Sequence, residues 1–352
     1  MDAESGFAAL GGWPAVLGRL VAGRDLSAEE AACALGEVLS GAASDAQIAG
    51  FVTALRIKGE SVEELTGLVQ AMLAHAEALP VGGDLVDTCG TGGDRSQSIN
   101  VSTIAALVVA GAGARVCKHG GRAASSAAGS ADVLEALGVV IDLGPAGVAR
   151  CIDEAGIGFC FAPRFHPAMR HAIGVRRELG VPTVFNFLGP LANPARARHQ
   201  VVGVSDPAMA EKMFGVLVAN GSRRAMVVYG ADGLDELSTT GPSSVIELSA
   251  EGEIRRYQVE ATDFGIGPAT LPALRGGDAS TNAKVVRRVV EGEPGPHRDI
   301  SVLNAAAGLV VAGIAGDLAE GVSRATEVID EGGAQKALDG LVRSSQAAAA
   351  AG

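Results

Sequence analysis

The chain has 352 residues, 48% of them hydrophobic, enough apolar length for one large core or two smaller ones. A net charge of −12 argues against a broad basic surface for nucleic acid, and 3% aromatic residues leave little for base-stacking platforms, although a local basic pocket is still allowed. Five scattered cysteines without CxxC spacing fit a reduced cytoplasmic protein; no signal peptide is visible, and the apolar run Ile104 to Ala114 is too short and Gly-rich to span a membrane.

Residues 1–79 read as helices. Ser27 is placed to cap a run through Ser40, with Glu29 and Glu30 in its first turn. Ser44 or Asp45 opens the next, through Leu55. Ser61 opens Val62 to Leu79, with Glu64 in capping-box position. Pro80 and Gly82-Gly83 then break the pattern. From Asp84 the rhythm is strand, loop, helix: Leu85-Val86, a helix over 99–110, strand Ala114–Cys117, and a helix from Asp132 stopped by Gly138. Strand Val139–Asp142, a helix from Pro145 through Ala155, and strand Ile157–Phe161 come next. This alternation predicts an α/β fold with a mainly parallel central sheet flanked by helices.

Residues 165–192 interrupt that rhythm with polar helical sequence, a turn at Gly180-Val181-Pro182, and a short helix from about Thr183 to Phe187. We expect them to pack back on the N-terminal helices, giving a small all-helical domain of 1–79 with about 165–192. The larger α/β domain would then comprise 80–164 and 193–352. Strands resume at Val201–Val204 and Ala225–Tyr229; 243–260 are β-like, and Asn282 to Glu291 and Asn304 to Val311 helical. The tail from Gln346 to Gly352 reads as low-complexity and frayed.

The most informative stretch is Asp87-Thr88-Cys89-Gly90-Thr91-Gly92-Gly93-Asp94. It lies between the strand Leu85-Val86 and a helix that Ser98 or Asn100 is placed to cap. Glycines let backbone N–H groups turn inward, and the helix start adds unpaired donors, so the loop reads as a cradle for phosphate or pyrophosphate. It fits neither the Walker loop nor the dinucleotide fingerprint. A second loop, Lys118-His119-Gly120-Gly121-Arg122-Ala123-Ala124-Ser125-Ser126, closes the next strand. A lone Gly-rich loop is usually only a turn; two in succession, each with a cation or hydroxyl, suit two phosphate groups at strand C-terminal ends. A third strand end, 231–238, carries the paired carboxylates Asp235 and Glu236, oxygen ligands suited to Mg²⁺ shared with substrate phosphates. His166 reads either as a packed helix-start residue or as a ligand residue. Arg176 and Arg177 point about 100° apart on a helix, so one can face a cleft and clamp a carboxylate. No zinc spacing and no nucleophile elbow appear.

Taken together the chain resembles the anthranilate phosphoribosyltransferases of tryptophan biosynthesis. The resemblance rests on CGTGGD at 89–94, NVST at 100–103, KHG-RAASS at 118–126 and GSADVLEALG at 129–138. It extends through FAPRFHPAMRH at 161–171, VRRELGVPTVFNFLGPLANPA at 175–195 and DGLDELSTTGP at 232–242. It implies transfer of the phosphoribosyl group of phosphoribosyl pyrophosphate (PRPP) to the amine of anthranilate. By resemblance Gly90, Thr91, Gly93, Asp94, Ser98, Asn100, Ser102, Thr103, Lys118, Ser125 and Ser126 hold PRPP. Gly90, Gly121, Ala162, Pro163, His166, Met169, Arg176 and Gly189 line the anthranilate site, Arg176 toward the carboxylate. Asp235 and Glu236, with Ser102, carry Mg²⁺. No side chain is assigned as acid or base; Lys118 and Arg176 matter most. A homodimer is implied, with small-molecule partners and neither nucleic acid nor membrane. Gly121 stands where the family has Asn, Ile99 where an aromatic is common, and Met169 where Tyr is frequent. Three readings therefore stand: an active anthranilate enzyme, a phosphoribosyltransferase for a related aromatic amine, and a binding or regulatory homologue of low activity.

Overall fold

The computed structural model describes residues 3–93, 96–123 and 127–351. Five helices come first: α1 (Ala3–Ala9), α2 (Gly12–Val21), α3 (Ala28–Leu39), α4 (Asp45–Lys58) and α5 (Val62–Ala74). Ser27, Ser44 and Ser61 each accept a bond from the N3 backbone, and Glu30, Gln47 and Glu64 return it. Three reciprocal caps thus set three helix starts. α5 ends at Ala74 rather than Leu79, because the chain turns away and Glu77 N donates to Phe165 O at 2.8 Å.

The second part alternates: β1 (Val86–Gly90), α6 (Val101–Gly111), β2 (Val116–Gly120), α7 (Ser130–Ala136), α8 (Pro145–Ala155), β3 (Ile157–Phe161) and α9 (Ala162–Phe165). Then come α10 (Arg170–Leu179), α11 (Phe185–Leu191), β4 (His199–Gly203), α12 (Pro207–Ala219), β5 (Arg224–Gly230), β6 (Ser243–Leu248) and β7 (Ile254–Val259). The chain closes with α13 (Ala279–Val290), α14 (Pro296–Ala312), α15 (Leu318–Asp330) and α16 (Gly333–Ala351).

Four further expectations are corrected. β1 and β2 extend into the glycine-rich stretches, so Asp87 to Gly90 and Lys118 to Gly120 belong to strands, and the loops begin only at Thr91 and Gly121. The expected strand Val139–Asp142 does not form. Its backbone is committed elsewhere: Val139 N donates to Leu134 O and Val140 N to Ser345 Oγ. The second short helix runs over Phe185–Leu191, later than expected. The tail is not frayed: α16 continues to Ala351, with Ser344 and Ser345 buried, as an alanine-rich run permits.

Among the described residues, seven strands form one sheet in the order β3-β2-β1-β4-β5-β6-β7. The pairings from β3 through β5 are parallel, and β6 and β7 add on antiparallel. The chain builds outward from β1 in one direction and then, from β4, in the other. The switch opens a crevice at the C-terminal ends of β1, β2 and β4, where such sheets bind ligands. One core fills the face covered by α6, α14 and α16; α6, buried from Val101 to Ala110 save Ser102, is their shared centre. The other core joins Phe7 to Met72 with Ala172, Val175, Phe185, Phe187 and Leu188, and continues into Val202, Met213, Val227 and Ile246. The helical layer is thus seated through α5 and α12 on the opposite face of the sheet, with α10 packed on α3 and α4 and α11 on α5.

Candidate active site

The first glycine loop leaves β1 at Gly90 and is tied to its neighbours by four bonds. Thr91 N donates to Gly203 O at 2.9 Å and Ser205 N to Thr91 Oγ1 at 3.2 Å. Ser205 Oγ donates to Gly92 O at 3.1 Å, and Gly92 N to Asp235 Oδ2 at 2.7 Å. The last bond brings the acidic loop onto the glycine loop. It requires glycine at two strand ends: a Cβ on Gly90 would lie 2.2 Å from Asp235 Oδ2, and one on Gly203 only 1.6 Å from Asp235 O. Gly92 and Gly93 sit at φ +67° and +80°, which leaves their N–H groups turned from the strand direction.

Lys118, at the middle of β2, is fully buried. Its ammonium donates to Thr88 O at 2.7 Å and to Ser102 Oγ at 3.3 Å. Burial pushes its pKa down, while Asp87, Cys89 and Glu236 oppose that shift. Glu236 therefore acts electrostatically on Lys118 from across the crevice. Asp87 lies beneath, wholly buried, accepting from His119 N at 3.2 Å and from Asn193 Nδ2 at 2.8 Å. Asn193 Nδ2 also donates to Cys117 O at 2.8 Å. The Asn193 turn thus pins β1 and β2 at the register that presents Lys118.

The side toward the helical layer is less polar. His119 and His166 lie with ring centroids 5.1 Å apart; Nδ1 of the former is 3.2 Å from Gly189 O, and Nε2 of the latter 3.0 Å from Ala192 O. Burial lowers both, His119 to about 3, so both rings are neutral at pH 7. His166 is buried at the junction of α9 and the turn Pro167–Met169. Arg176 is half-buried with its guanidinium 5.3 Å from the Phe185 ring, and it makes no ion pair with the described residues; Arg177 is exposed. Burial alone lowers Arg176. A desolvated, unpaired guanidinium on an aromatic face suits a planar carboxylate. Gly121 has ordinary negative-φ backbone, and a Cβ there would stand 3.9 Å from that of Ala162. No side chain lies within 4 Å of a Cβ on Gly189.

The structure therefore brings together Gly90, Thr91, Asp235, Ser102 and Lys118, and on the other side His119, His166 and Gly189. Thr103 and Asn100 face protein rather than open cleft: Thr103 Oγ1 bonds Ser130 Oγ at 3.1 Å, and the Asn100 amide is held by Ala128 and Asn282. Ser98 N donates to Ser96 Oγ, and Pro163 and Met169 lie in α9 and the turn after it. Asp94, Ser125 and Ser126 lie outside the described residues. Sequence reasoning assigned no role to Asp87, Asn193, Ser205 or Phe185. Asn193 and Phe185 lie within the matched motifs, and Ser205 stands just past the end of β4. Among the described residues no three His, Cys, Asp or Glu side chains cluster as a metal site. Two carboxylates with a hydroxyl nonetheless fit a hard cation that keeps waters and takes its other ligands from a diphosphate.

The chain matches the model of the glycosyl transferase family a/b domain over residues 82–335, and that of the family's helical bundle domain over 14–76. It is 53% identical to anthranilate phosphoribosyltransferase of Roseiflexus castenholzii over 92% of this chain and 96% of that one. It is 56% identical to the same enzyme of a Nocardioides species, over 93% and 97%. Its fold matches the crystal structure of anthranilate phosphoribosyltransferase from Thermus thermophilus with a TM-score of 0.89, at 42% identity over 94% of this chain and 99% of that one. The Saccharomyces cerevisiae enzyme in complex with PRPP and Mg gives 0.87, at 28% identity over 95% and 98%. Agreement of this extent, across both the helical and the α/β parts, means that the chain belongs to the anthranilate phosphoribosyltransferase family.

Proposed function

We propose that the protein transfers the phosphoribosyl group of PRPP to the amine of anthranilate, giving N-(5-phosphoribosyl)anthranilate and pyrophosphate in tryptophan biosynthesis. The observation that carries this reading is the bond from Gly92 N to Asp235 Oδ2, which brings a glycine-loop phosphate cradle and an acidic loop together at the switch of the sheet. The amine nitrogen bonds C1 as the C1–O bond to pyrophosphate breaks, and the amine releases one proton. An aromatic amine is neutral near pH 7, so no strong base is needed. The barrier lies in charge on pyrophosphate and on the ribose carbon, which positioning and fixed donors lower. The 90–93 loop, the Thr91 hydroxyl and Lys118, with Asp94, Ser125 and Ser126, hold PRPP. Asp235, Glu236 and Ser102 would hold Mg²⁺, which supplies positive charge to the leaving diphosphate. Arg176 takes the anthranilate carboxylate, beside Ala162, Pro163, His166, Met169 and Gly189. Neutral His119 and His166 leave this wall uncharged save for Arg176. No observation favours a different amine or a non-catalytic homologue, since Lys118, Asp235, Glu236 and Arg176 are all in place.

The test is loss of anthranilate fluorescence with PRPP, with and without Mg²⁺. Turnover that needs all three supports the reading; none at any Mg²⁺ concentration overturns it. Residues 165–192 are proposed to belong with the helical domain, supported by their shared apolar core. Hydrogen exchange of that stretch in step with the sheet rather than with 3–74 would refute this. A cytoplasmic homodimer joined through the helical domain completes the proposal. Its support is the exposed Val21, Ile57, Ile173 and Val181, all within the helical part. A monomeric mass at micromolar concentration counts against the dimer, and recovery from cells in a secreted fraction against the location.

A further inference from the structure

The segment between the first glycine loop and α6 is held from a distant part of the chain. Ile99 N donates to Leu274 O at 3.1 Å and Gly276 N to Gln97 O at 2.8 Å, and Ser98 forms an antiparallel bridge with Arg275. Gln97 sits at φ +56°, a conformation that a non-glycine residue keeps only where its surroundings impose it. A side-chain relay runs through the same place. Asn282, in the first turn of α13 and 2% exposed, accepts from Gly277 N at 2.7 Å and donates through Nδ2 to Asn100 Oδ1 at 2.9 Å. Asn100 in turn donates to Ala128 O at 3.0 Å. Although Asn100 occupies the N-cap position of α6, it makes no side-chain cap bond there. Its amide instead joins the first loop to the end of the second.

The relay is built around Asn282. A Cβ on Gly276 would lie 2.4 Å from Asn282 Oδ1 and 2.9 Å from Nδ2, so glycine at 276 makes room for this amide. The start of α13 does not need Asn282, because Asp278 already caps it by accepting from Thr281 N at 2.8 Å. The Oδ1 of this buried amide steadies the turn at Gly277, and its Nδ2 is directed at Asn100 beside the loops.

We propose that Asn282 is a positioning residue for the phosphoribosyl donor: by fixing the Asn100 amide it holds the two glycine-rich loops at the separation the donor spans. The proposal rests on the reading of this crevice as a PRPP site. Removing the Nδ2 donor frees Asn100 to rotate and lets Ala128 and Gln97 move independently. Arg176 on α10 and Gly189 on α11, on the anthranilate side, keep their geometry.

The experiment compares wild type, Asn282→Ala, Gly276→Ala and the double variant for Mg²⁺–PRPP binding and for steady-state kinetics in each substrate. Gly276→Ala introduces no backbone strain and acts by displacing Asn282. Each single change is expected to lower kcat/KM for PRPP about 5- to 30-fold. KM for anthranilate should stay within about twofold, and Tm within a few degrees. The double variant should be no worse than Asn282→Ala, because both act through one contact. Asn282→Asp keeps the acceptor for Gly277 N and deletes the donor to Asn100; it gives the same comparison if truncation unfolds the chain. Singles that match wild type in PRPP kinetics, equal losses in both substrates, or a double-variant loss equal to the product of the singles would overturn the proposal. A wild type that neither binds Mg²⁺–PRPP nor turns over would overturn the functional reading beneath it, which the other outcomes leave intact.

Discussion

Gly90→Ala is a one-carbon change whose consequence is worked from the structure. The new Cβ would stand 2.2 Å from Asp235 Oδ2 and 2.9 Å from its Cγ. Ordinary carbon–oxygen contact needs about 3.4 Å, so the carboxylate must retreat by about 1.2 Å. The 2.7 Å bond from Gly92 N to Asp235 Oδ2 then lengthens beyond hydrogen-bond range. A hydrogen bond to a charged group contributes about 1.5–3 kcal/mol. If that stabilisation is spent on presenting Asp235 to Mg²⁺ and the diphosphate, kcat/KM for PRPP falls about 10- to 150-fold. Folding should lose about 1–2 kcal/mol, which lowers Tm by a few degrees without unfolding the chain. Gly90 lies at negative φ, where Ala restricts the unfolded chain and stabilises by about 0.4–1 kcal/mol, offsetting part of the lost bond. The assay is initial rate against Mg²⁺ at subsaturating PRPP, beside a thermal melt. Combined with Asp235→Asn, Gly90→Ala should add little further loss. Activity of Gly90→Ala within about twofold of wild type would show that the bond does not position Asp235, and the reasoning fails.

Three other outcomes are expected. Arg176→Gln removes the unpaired guanidinium above Phe185 and should raise KM for anthranilate about 10- to 150-fold while sparing KM for PRPP; a loss confined to PRPP would reassign the residue. Gly121→Asn meets only ordinary contact with Ala162 and no positive φ, so it should fold and raise kcat/KM with anthranilate about 5- to 30-fold by restoring an amide between the substrates; a fall would mean that glycine is the adapted residue. The His119 imidazole is held down to about 3 by burial, against 6.5 in the unfolded chain, so the unfolded state binds the extra proton between those values. Stability due to neutral His119 is complete above pH 6.5 and declines below it by up to about 1.4 kcal/mol per pH unit. His119→Gln should flatten Tm against pH below 6.5, and an unchanged slope would refute the burial argument.

The elements that could be read from the sequence are those whose signals are local. Three serine caps with their Glu or Gln partners sit within four residues of one another, and the starts of α3, α4 and α5 are set by them. α8 runs from Pro145 to Ala155 and β3 from Ile157 to Phe161, with the expected bounds, because proline at one end and Gly156 at the other punctuate the pattern. Val139–Asp142 misleads for the same reason. Its apolar run is local, but whether a neighbouring strand is there to pair with it is not, and a helix end and Ser345 take N–H groups of the run instead. The alanine-rich tail reads from composition as frayed, whereas it continues α16, whose preceding turns bury Leu338, Leu341, Ser344 and Ser345.

The same division runs through the site. Residues proposed to touch substrates announce themselves by type: glycines, a lysine, paired carboxylates, an arginine beside a helix turn. Residues that place them do not, because their partners are far away in the chain. Asp235 meets Gly92 across 143 positions, Asn193 meets Asp87 across 106, and Asn282 meets Asn100 across 182. A window that detects periodicity spans about 11–18 residues. An asparagine beside a proline-alanine pair, or one in the first turn of a helix, looks within such a window like turn or cap chemistry. Its carboxamide has two faces, one donor and one acceptor, and only the fold tells which atoms meet them. Gly203 carries this furthest. In the sequence it ends a strand like many of the chain's glycines; in the structure a single methyl group at that point would occupy the Asp235 carbonyl and lift the whole acidic loop away from the cradle it completes.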